Sequence, residues 1–402
     1  MRRMTMFMAG VLLACGMTAA GVAGDTIKVG IVDTYTGPVT TYTYDVRDGF
    51  QMAADKINAA GGVLGKKIEL ILRDDTFKSD VGLTMAKELI LQENVDILMG
   101  TINSATALAI SDLCRKEKVP FLVTFSKSGK ITGEKGHRYV FGMNENTDMI
   151  GRATATVLAK QPYRKYWIAG DDYEYGHAIA DSVFGHLKKL NPKVELLGET
   201  WWKLRESDFN PYITQILAAK PDFVIVATGG GSMVNFQKAA QSTGFNQRAP
   251  FYQHTGIELS TLMPQGQNAP EGVFGTANYL FYYPDTKENR SFSDEFRKRY
   301  DRYPKSGAVY GYMAAQFLAK AYAKAGAVDK EKFIDAMEGM TAESPIGTLE
   351  VRGCDHQIVL PMYFGVTKKS PKYEFLVADQ IQAVSGKDYM PSCEEILKMR
   401  AQ

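Results

Sequence analysis

Residues 95–129, VDILMGTINSATALAISDLCRKEKVPFLVTFSKSG, constrain the fold more than any other stretch of this chain. An apolar run over 95–99 leads into a polar turn begun by Gly100. Apolar positions at helical spacing follow over 105–116, and a second apolar run occupies 119–124. Strand, helix and strand joined by turns this short make a parallel unit, which brings both strand C-terminal ends to one edge of a sheet. The two ends read Thr101-Ile102-Asn103-Ser104 and Phe125-Ser126-Lys127-Ser128. Ser104 is expected as the N-cap of the helix, where outward N–H groups and the positive end of the helix dipole favour an anion, most simply a carboxylate or phosphate. A serine at a helix start is commonly a cap and nothing more. The second hydroxyl cluster arriving at the same edge makes Ser104 a candidate binding residue.

The same alternation extends in both directions. A strand over 27–32, a helix over 44–60 ending at Gly61-Gly62, a strand over 68–75 and a helix over 81–92 precede the central unit, and a strand over 139–142 follows it. After the short polar run 143–149 the pattern restarts: helices over 150–160, 176–190, 209–218 and 233–243 alternate with strands over 165–169, 194–200, 222–227 and 250–253. Alternation of this kind gives parallel sheets with helices on both faces, here as two similar doubly wound α/β lobes. A strand over 273–279 reads as a second crossover. Helices over 290–300, 306–325 and 330–339 follow, then a β-rich stretch over 347–384, so the chain is expected to pass back into the first lobe.

Length and composition fit a globular protein of two or three domains, with 402 residues, 45% of them hydrophobic and 23% charged. The first 24 residues place Arg2 and Arg3 before an apolar run ending in small residues, the pattern of a secretory signal peptide cut near Ala23 or Gly24. Leu12-Leu13-Ala14-Cys15 also resembles a lipoprotein cleavage site, which would leave a lipid anchor on Cys15. Basic residues number 47 and acidic 45, and two of the basic ones lie in this leader. The balanced charge of the remainder argues against nucleic acid or an anionic membrane surface as partner. In an oxidising compartment Cys354 and Cys393 could pair, leaving Cys114 buried on its helix. The chain offers neither a C-x-x-C pair nor Cys/His ligand spacing, so no metal or other cofactor is expected. Gly229–Gly231 lacks the spacing of a phosphate-binding loop and reads as a tight turn. The 5 histidines are scattered and none adjoins a nucleophile motif, so the chain is not expected to be an enzyme.

Several pieces together resemble the type I periplasmic binding proteins, specifically the branched-chain amino acid type that serves ABC importers. They are Ile27-Lys28-Val29-Gly30-Ile31 with Thr36-Gly37-Pro38, the run from Ile57-Asn58 through Gly61-Gly62-Val63-Leu64-Gly65, and Asp74-Asp75. The Asp171 to Gly176 turn, Ser207-Asp208-Phe209 and Pro221-Asp222-Phe223-Val224 also match. Their order spans nearly the whole chain after the leader. The resemblance implies two lobes joined by a three-crossover hinge, closing on a ligand held between them. It implies lobe 1 over 25–142 and 275–346, and lobe 2 over 143–274 and 347–402. It also implies a small carboxylate-bearing ligand, a membrane ABC permease as partner and a monomeric receptor. A ligand-sensing receptor feeding a signalling partner, or a doubly wound enzyme, are the alternatives.

Carried over residue by residue, Ser104 stands at the carboxylate position beside Asn103, with Ser126 and Ser128 at the head-group amide and hydroxyl positions. Tyr42 stands where an aromatic residue meets the ligand side chain, and Tyr175, with Tyr173, matches the cleft of the second lobe. The chain departs from the pattern at two places. Thr255 stands where the amino acid binders carry an acid for the ligand ammonium, with Glu258 or Glu271 as substitutes if the alignment slips, and Gly230 replaces a tyrosine. A buried ammonium without a carboxylate is costly, and two small residues enlarge the pocket. Tyr42, Tyr44, Phe125, Tyr173 and Tyr175 are expected to line it, which suits an aromatic carboxylate as well as an amino acid. His254 is the one histidine expected at the cleft edge, where it either touches ligand or, as such residues more often are, is simply solvated.

Overall fold

The computed structural model describes residues 26–37 and 39–401. The expected leader, both cleavage positions, Cys15 and Pro38 lie outside the described residues.

Five parallel strands make the sheet of lobe 1: β1 (Ile27–Asp33), β2 (Ile68–Asp74), β3 (Ile97–Gly100), β4 (Phe121–Val123) and β5 (Val140–Gly142), in the order β2-β1-β3-β4-β5. Helices α1 (Thr40–Ala59), α2 (Ser79–Leu91) and α3 (Ser104–Glu117) connect them. β3 and β4 carry only buried side chains, as strands covered on both faces must.

Lobe 2 is built on β6 (Lys165–Asp171), β7 (Glu195–Trp202), β8 (Phe223–Ala227), β9 (Phe251–Gln253) and β10 (Phe274–Ala277), with α4 (Thr147–Leu158), α5 (Glu174–Leu190), α6 (Asn210–Ala219) and α7 (Gly230–Ser242) among them. Three short strands follow, β11 (Thr341–Ser344), β12 (Gly347–Val351) and β13 (Ile358–Val359), then β14 (Met362–Lys368) and β15 (Val377–Val384). The lobe 2 sheet runs β15-β14-β10-β9-β8-β6-β7, and β14 is antiparallel to both its neighbours.

The sheet pairings correct two expected boundaries. A cut after residue 274 would split β10, which pairs wholly within the lobe 2 sheet. A cut after 346 would separate β11 from β12, yet these two form a hairpin continued by β13, and Gln357 bridges Gly142 of β5. The hairpin therefore stays with lobe 1 and the third crossover lies between β13 and β14. Strand propensity in 347–384 does not reveal which sheet a strand joins, because that depends on partners far away in sequence.

The helix Ser306–Ala325 returns the chain to lobe 1 by lying against α1. Glycines make this crossing close: a Cβ on Gly311 would sit 1.9 Å from the Val46 carbonyl oxygen, and one on Gly49 1.9 Å from that of Ala308. Cys354 and Cys393 are disulfide-bonded with Cα atoms 5.7 Å apart, and Cys114 is free and buried. The bond ties the C-terminal helix Cys393–Arg400 to lobe 1, where Arg400 donates to the carbonyls of Thr132, Gly133 and Cys354.

Candidate functional site in the interlobe cleft

The edge formed by β3 and β4 positions the first half of the site. β3 ends at Gly100, and the loop after it is held by Asp33, whose carboxylate accepts the Ile102 N–H at 2.8 Å, and by Asp75, which accepts the Thr101 hydroxyl at 2.9 Å. The helix that follows starts one residue earlier than expected, and its cap is Asn103 rather than Ser104. The Asn103 side chain accepts from the N–H groups of Ala105 and Thr106 at 2.9 and 3.2 Å. Asn103 has the extended backbone of an N-cap, and Ser104 is already the first helical residue. Ser104 is thereby released from capping. Its hydroxyl accepts the Ser128 N–H at a long 3.3 Å, which brings the two predicted hydroxyl clusters together. Ser126 is buried between them, and its hydroxyl donates to the Thr101 carbonyl at 2.5 Å.

Aromatic rings continue from this edge. Tyr42 lies 5.3 Å from Phe125 centroid to centroid, and Phe125 lies 5.9 Å from Tyr310. Across the cleft Tyr173 and Tyr175 are 5.8 Å apart, and Tyr175 is 6.3 Å from His254. Burial pushes the Tyr42 phenol up to about 12, with the Glu258 charge adding to it. Burial also raises Tyr173, with Asp171 and Tyr42 adding to it, so the lobe 1 and lobe 2 rings lie within electrostatic reach. Tyr44 is not part of this wall: it stacks on Tyr35 at 5.7 Å and is exposed.

Between the rings lies a buried ionic cluster. Lys127 pairs with Glu145, and the Tyr310 hydroxyl donates to the other oxygen of the same carboxylate. The Lys127 ammonium sits over the rings of Phe125 and Tyr310, 4.5 and 5.2 Å from their centroids. Glu258, buried on the lobe 2 side, accepts from Ser306 at 2.9 Å and Ser260 at 3.3 Å. Its removal from water pushes its carboxyl up to about 7, Lys127 opposing and Glu145 reinforcing that shift.

Two expected lobe 2 positions are corrected. Gly230 is exposed with open space where a Cβ would stand, and it is Gly229 whose Cβ would meet the Tyr175 ring at 3.5 Å. The turn shifts because Asp171 anchors it, accepting from the Thr228 hydroxyl at 2.5 Å and the Gly229 N–H at 3.2 Å. Thr255 turns into its own lobe, its hydroxyl 3.3 Å from the Met233 sulfur, and Glu271 accepts a backbone N–H from Lys369 on the outside. Of the two candidates for the missing acid, Glu258 alone reaches the cluster at Lys127 and Tyr310. His254 is fully buried rather than solvated.

Comparison with known proteins agrees with this architecture. The family model described as "Periplasmic binding protein" matches residues 26–371. The chain belongs to the periplasmic binding protein family. Among its curated relatives is the leucine-, isoleucine-, valine-, threonine- and alanine-binding protein of Pseudomonas aeruginosa, 26% identical over 350 residues, covering 87% of this chain and 91% of that protein. An ABC transporter substrate-binding protein from Sphaerobacter thermophilus superposes with a TM-score of 0.84 at 20% identity, covering 91% of this chain and 100% of that one. A solute-binding protein from Rhodopseudomonas palustris, solved with 3,4-dihydroxybenzoic acid, superposes with a TM-score of 0.79 at 24% identity, covering 90% and 98%. The last two share the fold with this chain.

As a periplasmic binding protein the chain works outside the cytoplasm, and none of its described helices is long and apolar enough to cross a membrane. Lys127, Glu145, Ser306 and Tyr310 are the site residues that motif reading missed. Lys127 sits between two serines that were singled out, but a lone lysine carries no sequence signal of burial. Tyr310 lies at core spacing on its helix, and only the tertiary fold shows that its hydroxyl end faces the cleft cluster.

Proposed function

We propose that this protein is the receptor of an ABC importer for a small carboxylate-bearing solute whose body is an apolar ring. The observation that carries the reading is the Ser104 hydroxyl facing the Ser128 N–H at 3.3 Å at the mouth of two strands. A solute carboxylate fits there as the better acceptor, taking the Ser128 N–H and the Ser104 hydroxyl proton, with the Ser126 amide beside them. Tyr42 and Phe125 on one side and Tyr173 and Tyr175 on the other supply flat apolar faces for the ring.

The ionic cluster supports a solute without an α-amino group. Glu145 is already held by Lys127 and Tyr310, and Glu258 by Ser306 and Ser260. Closing the lobes expels water, strengthens the bonds to the carboxylate and gives the permease a shape to read. A second reading keeps the amino acid zwitterion. The raised carboxyl of Glu258, buried beside Glu145, is a place that an ammonium would relieve.

A thermal-shift screen over amino acids, aromatic acids, short dicarboxylates and amides separates the two, since a ligand bound only by the native state raises Tm by mass action. Stabilisation by aromatic acids supports the first reading, and stabilisation confined to α-amino acids replaces it with the second. The receptor is exported by its leader as a monomer. Mass spectrometry of the mature N-terminus distinguishes cleavage near Ala23 from lipidation at Cys15, and sedimentation tests the monomer.

A further inference from the structure

His254 follows β9 at the cleft with its ring wholly removed from solvent. Its Nδ1 lies 2.9 Å from the Thr276 hydroxyl, which lies 3.1 Å from the Tyr252 hydroxyl, and Thr154 donates to that same Tyr252 hydroxyl at 2.9 Å. Each hydroxyl has one proton to give. Thr154 gives its proton to Tyr252, and a relay continued in the same sense runs from Tyr252 to Thr276 and from Thr276 to Nδ1. In that relay Nδ1 is an acceptor, and the single proton of the neutral imidazole stands on Nε2. Burial keeps the ring neutral, holding it well below the usual imidazole range with the Lys127 charge pushing the same way.

Nε2 has no hydrogen-bond partner among the described residues. A buried donor without an acceptor is unfavourable, and this one lies in the cleft wall: Tyr175 is its ring neighbour at 6.3 Å, and Lys127 of the other lobe is close enough to act on it. It also lies on the lobe 2 side, whereas Ser104 and Ser128 belong to lobe 1.

Resting on the reading of the cleft as a site for a ring-bearing carboxylate, we propose that His254 Nε2–H donates to a second oxygen of the solute, carried at the end away from its carboxylate. The solute class is then a hydroxy- or oxo-substituted aromatic acid. An ammonium has only protons to give and cannot satisfy this donor.

The test has a ligand-free arm and a ligand arm on the mature chain. Long-range proton–nitrogen NMR of the histidine rings is expected to show His254 neutral and protonated on Nε2, and protonation on Nδ1 overturns the proposal. Calorimetry with benzoate and 4-hydroxybenzoate is expected to show the hydroxylated acid binding roughly tenfold tighter. That preference falls to about twofold or less in His254→Phe, while Ser104→Ala weakens both acids alike. Equal binding of the two acids by the wild type, or a preference kept in His254→Phe, overturns the proposal. Should His254→Phe not fold, His254→Leu removes the donor with a smaller side chain, and a preference left intact there overturns it equally. If neither acid binds while α-amino acids do, the ring-bearing reading falls first and the proposal with it; if both acids bind without preference, only the proposal falls.

Discussion

Ser306 donates its hydroxyl proton to the buried carboxyl of Glu258 at 2.9 Å, and the two residues belong to different lobes. Ser306 opens the helix that lies against α1, whereas Glu258 follows the strand β9 of the lobe 2 sheet. The pair therefore fastens the closed cleft, and its chemistry depends on pH.

Burial raises the Glu258 carboxyl to about 7 from an ordinary 4.5, and burial likewise raises Asp33 to about 7 from 3.8, with Asp75 adding to it. Each group holds its proton in the folded state after the unfolded chain has lost it, so its contribution to stability falls as pH rises from about 4 to 7, while His137 and His254, held below the usual imidazole range by burial, contribute in the opposite sense. The Glu258 contribution falls by up to ~3 kcal/mol across this range. In melting curves between pH 4 and 7, the Tm of the wild type minus that of Glu258→Gln should fall as pH rises. An equal slope in the variant would assign the retained proton to other groups.

Lys127 and Glu145 form a buried pair with Tyr310 on the same carboxylate. Lys127→Met leaves that carboxylate facing the phenol alone, and should cost about 3–5 kcal/mol by denaturant titration. Adding Glu145→Gln should recover most of the loss, because removing both charges removes the desolvation penalty with them. A double variant as unstable as the single one would mean that Lys127 acts by its packing over Phe125.

Asn103 and Ser104 are adjacent and have separate tasks. Asn103→Ala removes the cap of α3 and should lower stability by about 1 kcal/mol. Ser104→Ala should leave Tm nearly unchanged and weaken solute binding by roughly 1–3 kcal/mol, measured by calorimetry. An unaltered affinity would take Ser104 out of the site.

The Cys354–Cys393 bond closes a loop over a sequence separation of 39 and holds the C-terminal helix to lobe 1. Cys393→Ser should lower stability by roughly 2–4 kcal/mol. Limited proteolysis should then cut first near the C-terminal helix, and resistance equal to the wild type would show that Arg400 anchors it without the bond.

Period and punctuation carried most of the architecture. Apolar runs of strand length alternating with amphipathic helices dictate two doubly wound lobes, because such runs are buried only between helix layers. The meeting of Ser104 with Ser128 also follows from topology alone, since neighbouring parallel strands end at a common edge. Tertiary structure decided the rest. Whether Asn103 or Ser104 caps α3 depends on the residue at which the backbone turns helical, and whether β12 joins lobe 1 or lobe 2 depends on Gln357 meeting Gly142. The burial of Lys127, Glu145, Glu258 and His254 arises only when two lobes far apart in sequence close on one another. Charge and burial are properties of that shared interior, and local sequence has no means of encoding them by pattern.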